Sequence, residues 1–278
     1  MTRLRGDAGR MGLEVHPYKM GWYNAKVEEA FRFPLHHDTL AVLVVSTPAM
    51  FEKLFLPFLM EESFTTEKVD PLDACIRAAM KDTSKHFPTE YKVEFVQDSD
   101  LLPSRRPRIL VQTAGHVSGA AYYYQRTDVD PQPWSQESPM YGVSVHPKYG
   151  GWFALRGVLI FNGLLAPGLV EKPPIDCVSS SRDQRIKLLE KFNYSWQDYG
   201  YRDVVDGGHV EDRYSERQKR TFQLYRERDL SLCVNGGQEP KMVTSSDIQL
   251  SLNSLLTYFN LLSPAVSQIR TVYPLNFL

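Results

Sequence analysis

The sequence predicts an α+β fold, and three observations carry that expectation. Leu40–Ser46 is an unbroken apolar run rich in β-branched residues, the pattern of a strand buried on both faces. Three segments open on helix-capping signals and continue with apolar residues at helical spacing. Strands and helices then alternate without the strict rhythm of βαβ units. At 278 residues and 42% hydrophobic content, the chain can build one sizeable core with appendages.

From the start, residues 1–11 carry three arginines and no apolar stretch, so a disordered or atypical terminus is expected rather than a secretory signal. Leu40–Ser46 should lie centrally in a sheet. Asp70-Pro71 opens a helix, Asp as N-cap and Pro at the first helical position, with Leu72, Ile76, Ala79 and Met80 on the face covering that sheet. Tyr91–Val96 alternates as a half-exposed strand does, and Arg108–Gln112 reads as another short strand. Between them, the basic loop Pro103–Pro107 is either a solvated turn or an arm pre-ordered by its two prolines for a partner or acidic ligand. From Thr113 through Arg126 the pattern turns helical.

A hairpin is expected from Val143–Val145 and Trp152–Phe161, turned at Gly150-Gly151. Ser181–Gln184 is a capping box before Ile186, Leu189 and Phe192, and Ser215–Arg228 forms a second amphipathic helix. The main domain is expected over residues 12–232. After it, residues 233–278 form a linker and a C-terminal helix capped at Ser246–Gln249, docked on the main domain or offered to a partner.

Charge and cysteine usage narrow the function. With 32 basic and 33 acidic residues, no global field attracts nucleic acid or anionic membrane. Cys75, Cys177 and Cys233 are odd in number and far apart, which fits a reducing, cytoplasmic compartment, and no apolar run approaches the roughly 20 residues a membrane span needs. Neither a zinc-ligand spacing, a phosphate loop nor a nucleophile elbow appears.

Chemistry concentrates in Gln112–Gln125 and His146–Gly157, where small residues, tyrosines, single histidines and an arginine interrupt apolar sequence. Glycine permits close approach and tyrosine offers a flat face with a polar edge, a combination suited to a large planar ligand. Three rings at Tyr122–Tyr124 on a helix would point in different directions, so only one or two could face it. Gln125 can hold amide groups on a ligand rim or sit idle on the surface.

His116, in Ala114–Gly119, resembles the Asp-x-His-x-x-Gly signature of cobalt-ligating histidines, but Ala114 stands where the orienting aspartate belongs. It therefore lines a pocket or is a hydrogen-bonded core histidine. Arg156 lies in strand sequence apolar on both sides, so its guanidinium must be paired. The partner is either a protein carboxylate, Asp198 or Asp203, or the carboxylate or phosphate of a ligand. Arg156, Arg202 and Arg228, if they converge, suit a small anionic peptide with two carboxylates.

Val15–Asn24, Ser46–Phe51, Arg105–Pro107, Gln112–Arg126, His146–Gly157 and Tyr214–Glu216 together resemble the cblC-type vitamin B12 processing proteins. The matching strings run in order across about residues 12–230. The resemblance implies a fold related to flavin nitroreductases, its mixed or antiparallel sheet flanked by helices. It implies removal of cobalamin's upper ligand with the cofactor bound base-off, from cyanocobalamin, methylcobalamin and adenosylcobalamin. By matched position, Asp98, Ile109, Leu110, Val111, Gln112, Tyr123, Tyr124, Gln125, Ser144 and Leu155 line the cobalamin site and His116 sits by the displaced tail. Cobalt is held by the corrin, not by protein side chains.

The same resemblance makes glutathione the co-substrate of dealkylation, clamped by Arg156, Arg202 and either Arg226 or Arg228. Reducing equivalents for decyanation come from FMN or FAD, a reductase partner or thiol. A cblD-type adaptor and the methionine synthase system are the implied recipients, and the chain is a monomer or weak homodimer. A non-catalytic cobalamin carrier and a flavin-dependent nitroreductase are the competing readings.

Overall fold

The computed structural model describes residues 1–60, 70–178, 181–204 and 212–226. The chain divides into two compact units, Met1–Gln218 and Lys219–Leu278. Only residues 219–226 of the second are described, so the expected linker, the C-terminal helix and Arg228 lie outside the described residues.

In order, the elements are α1 (Thr2–Arg10), β1 (Leu13–Lys19), α2 (Met20–Asn24), β2 (Thr39–Ser46), α3 (Leu56–Leu59), α4 (Pro71–Ser84) and β3 (Val93–Gln97). They continue with α5 (Val111–Val117), β4 (Tyr122–Tyr124), β5 (Val143–Val145), β6 (Ala154–Leu165), α6 (Arg182–Tyr194) and α7 (Glu216–Arg226). The main sheet is antiparallel in the order β1-β2-β6-β3, and β4 and β5 pair antiparallel in a sheet of their own. The α+β expectation thus holds.

Every residue of β2 is buried, as its continuous apolar sequence requires of a strand covered on both faces. Ala41, Leu43 and Val45 pack with Ile160, Leu155, Ala114 and Val117 in a core that joins the sheet to α5. Asp70 caps α4 as expected, its carboxylate accepting from the Asp73 N–H at 2.9 Å. A second cluster, around Tyr124, Val143, Val145, Leu188, Leu189 and Phe192, joins the small sheet to α6.

Four local expectations change. Residues 2–10 form α1 instead of a disordered terminus, with Leu4 and Ala8 buried. Arg108–Gln112 is no strand, because α5 begins at Val111. The expected helix through Tyr124 stops at Gly119, whose φ of +75° ends it, and the three tyrosines then run as β4. The expected hairpin is split: His146 and Gly150 do close a turn with reciprocal backbone bonds of 2.8 and 2.9 Å, but β5 pairs with β4 while β6 joins the main sheet. Local patterns mark strands, whereas their partners here are distant in sequence.

The feature that shapes the site is an irregularity in β6. Val44 pairs with Gly157 and Val45 with Leu155, leaving Arg156 as an extra residue in a bulge. Gly157 sits at φ +134°, and a Cβ there would come within 2.4 Å of the Val96 carbonyl oxygen on β3. Only glycine serves both demands. Gly157→Ala is expected to lower unfolding free energy by more than about 2 kcal/mol in urea denaturation. A loss within about 0.5 kcal/mol would show that the bulge tolerates a side chain.

Candidate functional site

Two groups of expected site residues assemble on different supports. The first begins where the chain enters α5. Ile109 is buried in the main core, Leu110 donates its N–H to the Tyr23 hydroxyl at 3.0 Å, and Val111 and Gln112 open the helix. One turn on, Gly115 lies against Leu155, with space for a Cβ only 3.3 Å from that side chain. α5 and β6 are therefore in close contact at Leu155.

His116, near the end of α5, accepts the Tyr123 N–H at Nδ1 over 3.2 Å and packs edge-on against Tyr122. That bond places the neutral ring's proton on Nε2. Burial holds its pKa below the usual histidine value, which favours the neutral ring. His116 is thus an orienting neighbour of β4.

Tyr123 and Ser144 are cross-strand partners and share one face of the small sheet. Tyr122 and Tyr124 take the other face, their rings 4.4 Å apart. Tyr124 is fully buried, its hydroxyl donating to Asp176 at 2.5 Å and accepting from the Val178 N–H at 2.9 Å. Expected as a lining residue, it is a core tyrosine whose ring is unavailable to a ligand. Ser144 is buried with a hydroxyl that has no partner, and Gln125 is exposed with its backbone N–H bonded to Asp128. Of these residues, Tyr123 and Ser144 offer the polar, apolar-backed face that a planar ligand needs.

The second group centres on Arg156. The bulge turns its side chain away from Leu155 and toward β2, where Nε donates to the Ser46 hydroxyl at 2.9 Å. Arg156 is 2% exposed, and its Nη2 is enclosed without a hydrogen-bond partner. Neither Asp198 nor Asp203 pairs with it: Asp203 binds Arg213 at 2.9 Å and the Trp152 indole at 2.7 Å. Among the described residues no carboxylate lies within ion-pair distance of Arg156.

Two acidic groups nevertheless sense it. Asp98 follows β3 and binds the Arg156 carbonyl through its N–H, while its Oδ1 is enclosed without a partner. Burial pushes the Asp98 carboxyl up to about 7, Arg156 opposes the shift and Asp73 reinforces it. Asp73, at the first turn of α4, is raised as well, chiefly by burial, although it accepts from Gln97 Nε2 at 2.9 Å. Arg156 is thus a buried cation whose nearby acids are biased toward their neutral forms.

Arg202 is 5% exposed and donates to the Gly151 carbonyl. Its guanidinium carbon lies 5.0–5.7 Å from the ring centroids of Trp152, Tyr199, Tyr201 and Tyr214. Aromatic faces stabilise a cation that has left water without neutralising it. A Cβ on Gly151 would sit 2.8 Å from the Arg202 Cα, so glycine is required at that contact. Ser46 and this aromatic enclosure were not foreseen; Tyr199 and Tyr201, just before Arg202 in sequence, were the one available signal.

The arrangement offers an aromatic and hydroxyl face beside α5, a buried guanidinium at Arg156 whose Nη2 has no partner, and a second buried guanidinium at Arg202 enclosed by aromatic rings. Known proteins match this chain over most of its length. The sequence model of the methylmalonic aciduria and homocystinuria type C family matches residues 12–233. A chicken protein named cyanocobalamin reductase / alkylcobalamin dealkylase is 49% identical over 79% of this chain and 90% of its own length. Its human counterpart of the same name is 46% identical over 76% of this chain and 72% of its own. The crystal structure of a Caenorhabditis elegans B12-trafficking protein, CblC, superposes with a TM-score of 0.73 at 33% identity, covering 86% of this chain and 97% of that one. This chain belongs to the methylmalonic aciduria and homocystinuria type C family.

Proposed function

We propose that this protein processes vitamin B12, removing the upper axial ligand of cobalamin by glutathione-dependent dealkylation of methylcobalamin and adenosylcobalamin and by reductive decyanation of cyanocobalamin. The named activities of its relatives support the reaction class. The single observation carrying the co-substrate assignment is the buried, incompletely paired guanidinium of Arg156. An uncompensated buried charge costs several kcal/mol, and a carboxylate-bearing ligand offsets that cost on binding.

In this reading the start of α5, Tyr123, Ser144 and Leu155 form the cobalamin wall, with His116 beside the tail displaced in the base-off form. Cobalamin is the substrate, and cobalt stays in the corrin. Arg156 and Arg202 hold the two carboxylates of glutathione, with Arg226 or Arg228 as the third member. The thiolate attacks the carbon bonded to cobalt. A carbon–sulfur bond forms, the cobalt–carbon bond breaks with its electron pair going to cobalt, and the products are cob(I)alamin and a thioether. The arginines favour the thiolate and fix its line of approach, so no side-chain general base is required. For cyanocobalamin, a reduced flavin, a reductase partner or thiol supplies the reducing equivalents that release cyanide.

We further read the helix-flanked sheet as related to flavin nitroreductases, and the protein as a cytoplasmic monomer or weak dimer passing its product to a cblD-type adaptor. Among the described residues no helix is long and apolar enough to cross a membrane.

Anaerobic absorbance titration of methylcobalamin tests the reading. A shift to the base-off spectrum, then glutathione-dependent loss of the methyl group, supports it; a shift without turnover favours a carrier, and no shift contradicts it. Arg156→Ala is expected to raise KM for glutathione roughly tenfold or more while leaving methylcobalamin affinity within about twofold. An unchanged KM would remove Arg156 from the clamp.

Asp98 predicts a pH dependence. Its folded pKa of about 7 lies above the ordinary aspartate value, so between the two the folded state holds more protons than the unfolded one. Stability must therefore fall as pH rises through that window. Asp98→Asn removes this loss, so its stability relative to the parent should grow between pH 5 and pH 8, by on the order of a few kcal/mol at most. A pH-independent difference would contradict the assignment.

A further inference from the structure

Outside this site, one cluster gathers titratable groups from distant parts of the chain. Glu14 and His16 alternate along β1, and His146 begins the turn that follows β5. His16 Nε2 lies 3.3 Å and His146 Nε2 3.4 Å from the same carboxylate oxygen of Glu14, and the other oxygen accepts from the Tyr149 hydroxyl at 2.8 Å. The donor atoms of Glu14, His16 and His146 all lie within 4.8 Å of one another, a spacing that would suit a metal ion.

The hydrogen bonds argue for a different role. His146 Nδ1 accepts the backbone N–H groups of Lys148 and Tyr149 at 3.1 and 3.3 Å. A neutral imidazole that accepts at Nδ1 carries its proton on Nε2, so the atom a cation would need is a donor facing Glu14. The cluster is built to hold an ionised carboxylate. The close approach of His146 and the hydrogen bond from His16 keep the Glu14 carboxyl well below its ordinary value, against the opposing effect of burial.

We propose that Glu14 is a positioning residue for the Arg202 half of the anion clamp; this rests on the glutathione reading given above. The link is short and continuous. Glu14 contacts His146, the first residue of the turn whose backbone closes at His146–Gly150, and Tyr149 inside that turn. Tyr149 accepts the Trp152 N–H at 2.8 Å, and Gly151 donates its N–H to the Arg202 carbonyl at 2.9 Å while accepting from the Arg202 guanidinium. Contact at Gly151 is too close for even a Cβ, so movement of residues 149–151 is transmitted to Arg202. Lys148 ties the same turn to Asp212 at 3.3 Å. Glu14 itself contacts His16, His146 and Tyr149 and neither Tyr123 nor Leu155, so the cobalamin wall should be less sensitive to it than Arg202 is.

Glu14→Gln keeps the shape and an acceptor for Tyr149 but removes the charge that two imidazoles address. The expected result is a KM for glutathione raised roughly five- to twentyfold in methylcobalamin dealkylation, with methylcobalamin affinity within about twofold of the parent. Amide hydrogen exchange at Gly150 and Gly151 should accelerate roughly tenfold in the ligand-free protein. Tyr149→Phe, which removes one hydroxyl, should move both quantities in the same direction by less. Unchanged exchange and unchanged KM would overturn the proposal, as would equal losses of glutathione and cobalamin binding, which mark a general packing role. Exchange is read without ligand, so a parent lacking glutathione-dependent turnover would count against the functional reading and leave the coupling separately decided.

Discussion

A guanidinium can be removed from water at tolerable cost only if its hydrogen-bonding capacity is met, and much of this structure follows from how that demand is handled at Arg156. The bulge in β6 places the residue between β2 and β3, where Ser46 takes one N–H and Nη2 is left enclosed without a partner. A structural arginine would be met by a carboxylate. Here Asp98 and Asp73 lie close enough to feel its field, yet burial biases both toward the proton-bearing form. With Nη2 unpartnered and no carboxylate within ion-pair distance among the described residues, the guanidinium is suited to accept a carboxylate from outside.

The bulge also separates two kinds of chemistry along one strand. Leu155 packs against α5, whereas Arg156, one residue later, donates to Ser46 on β2. In a regular strand, consecutive residues would alternate as well, but the extra residue and Gly157 let β6 keep its pairing with both β2 and β3 beyond the irregularity. Arg202 is accommodated differently, with aromatic faces around its guanidinium and a bond to the Gly151 carbonyl. Both sites depend on glycines where neighbours approach too closely for a side chain.

Much of this was legible in sequence where a residue's demand is local. Leu40–Ser46 could only be a doubly covered strand and Asp70-Pro71 could only start a helix well, whereas the pairing expected of Arg156 is met by Ser46 alone and not by a carboxylate among the described residues. What failed were pairings set by distant partners. The tyrosines after Gly119 carry strand propensity that the preceding helical pattern obscured, so Tyr124 was expected near a ligand and is packed against α6 instead. Asp203 was one of two plausible partners for Arg156 by proximity in type alone, and Arg213 and Trp152 claim it. The Glu14 cluster had no sequence signature, because β1 and the turn after β5 meet only through the tertiary fold.

The central claim is that Arg156 is kept for binding at the expense of stability, and thermal melting of Arg156→Met at pH 6.5 with and without glutathione tests it most directly. Methionine fills similar space without a charge. The account predicts a ligand-free melting temperature at or above that of the parent, together with loss of the stabilisation that glutathione confers on the parent. A variant that melts well below the parent yet is still stabilised by glutathione would make Arg156 a structural residue and contradict the account.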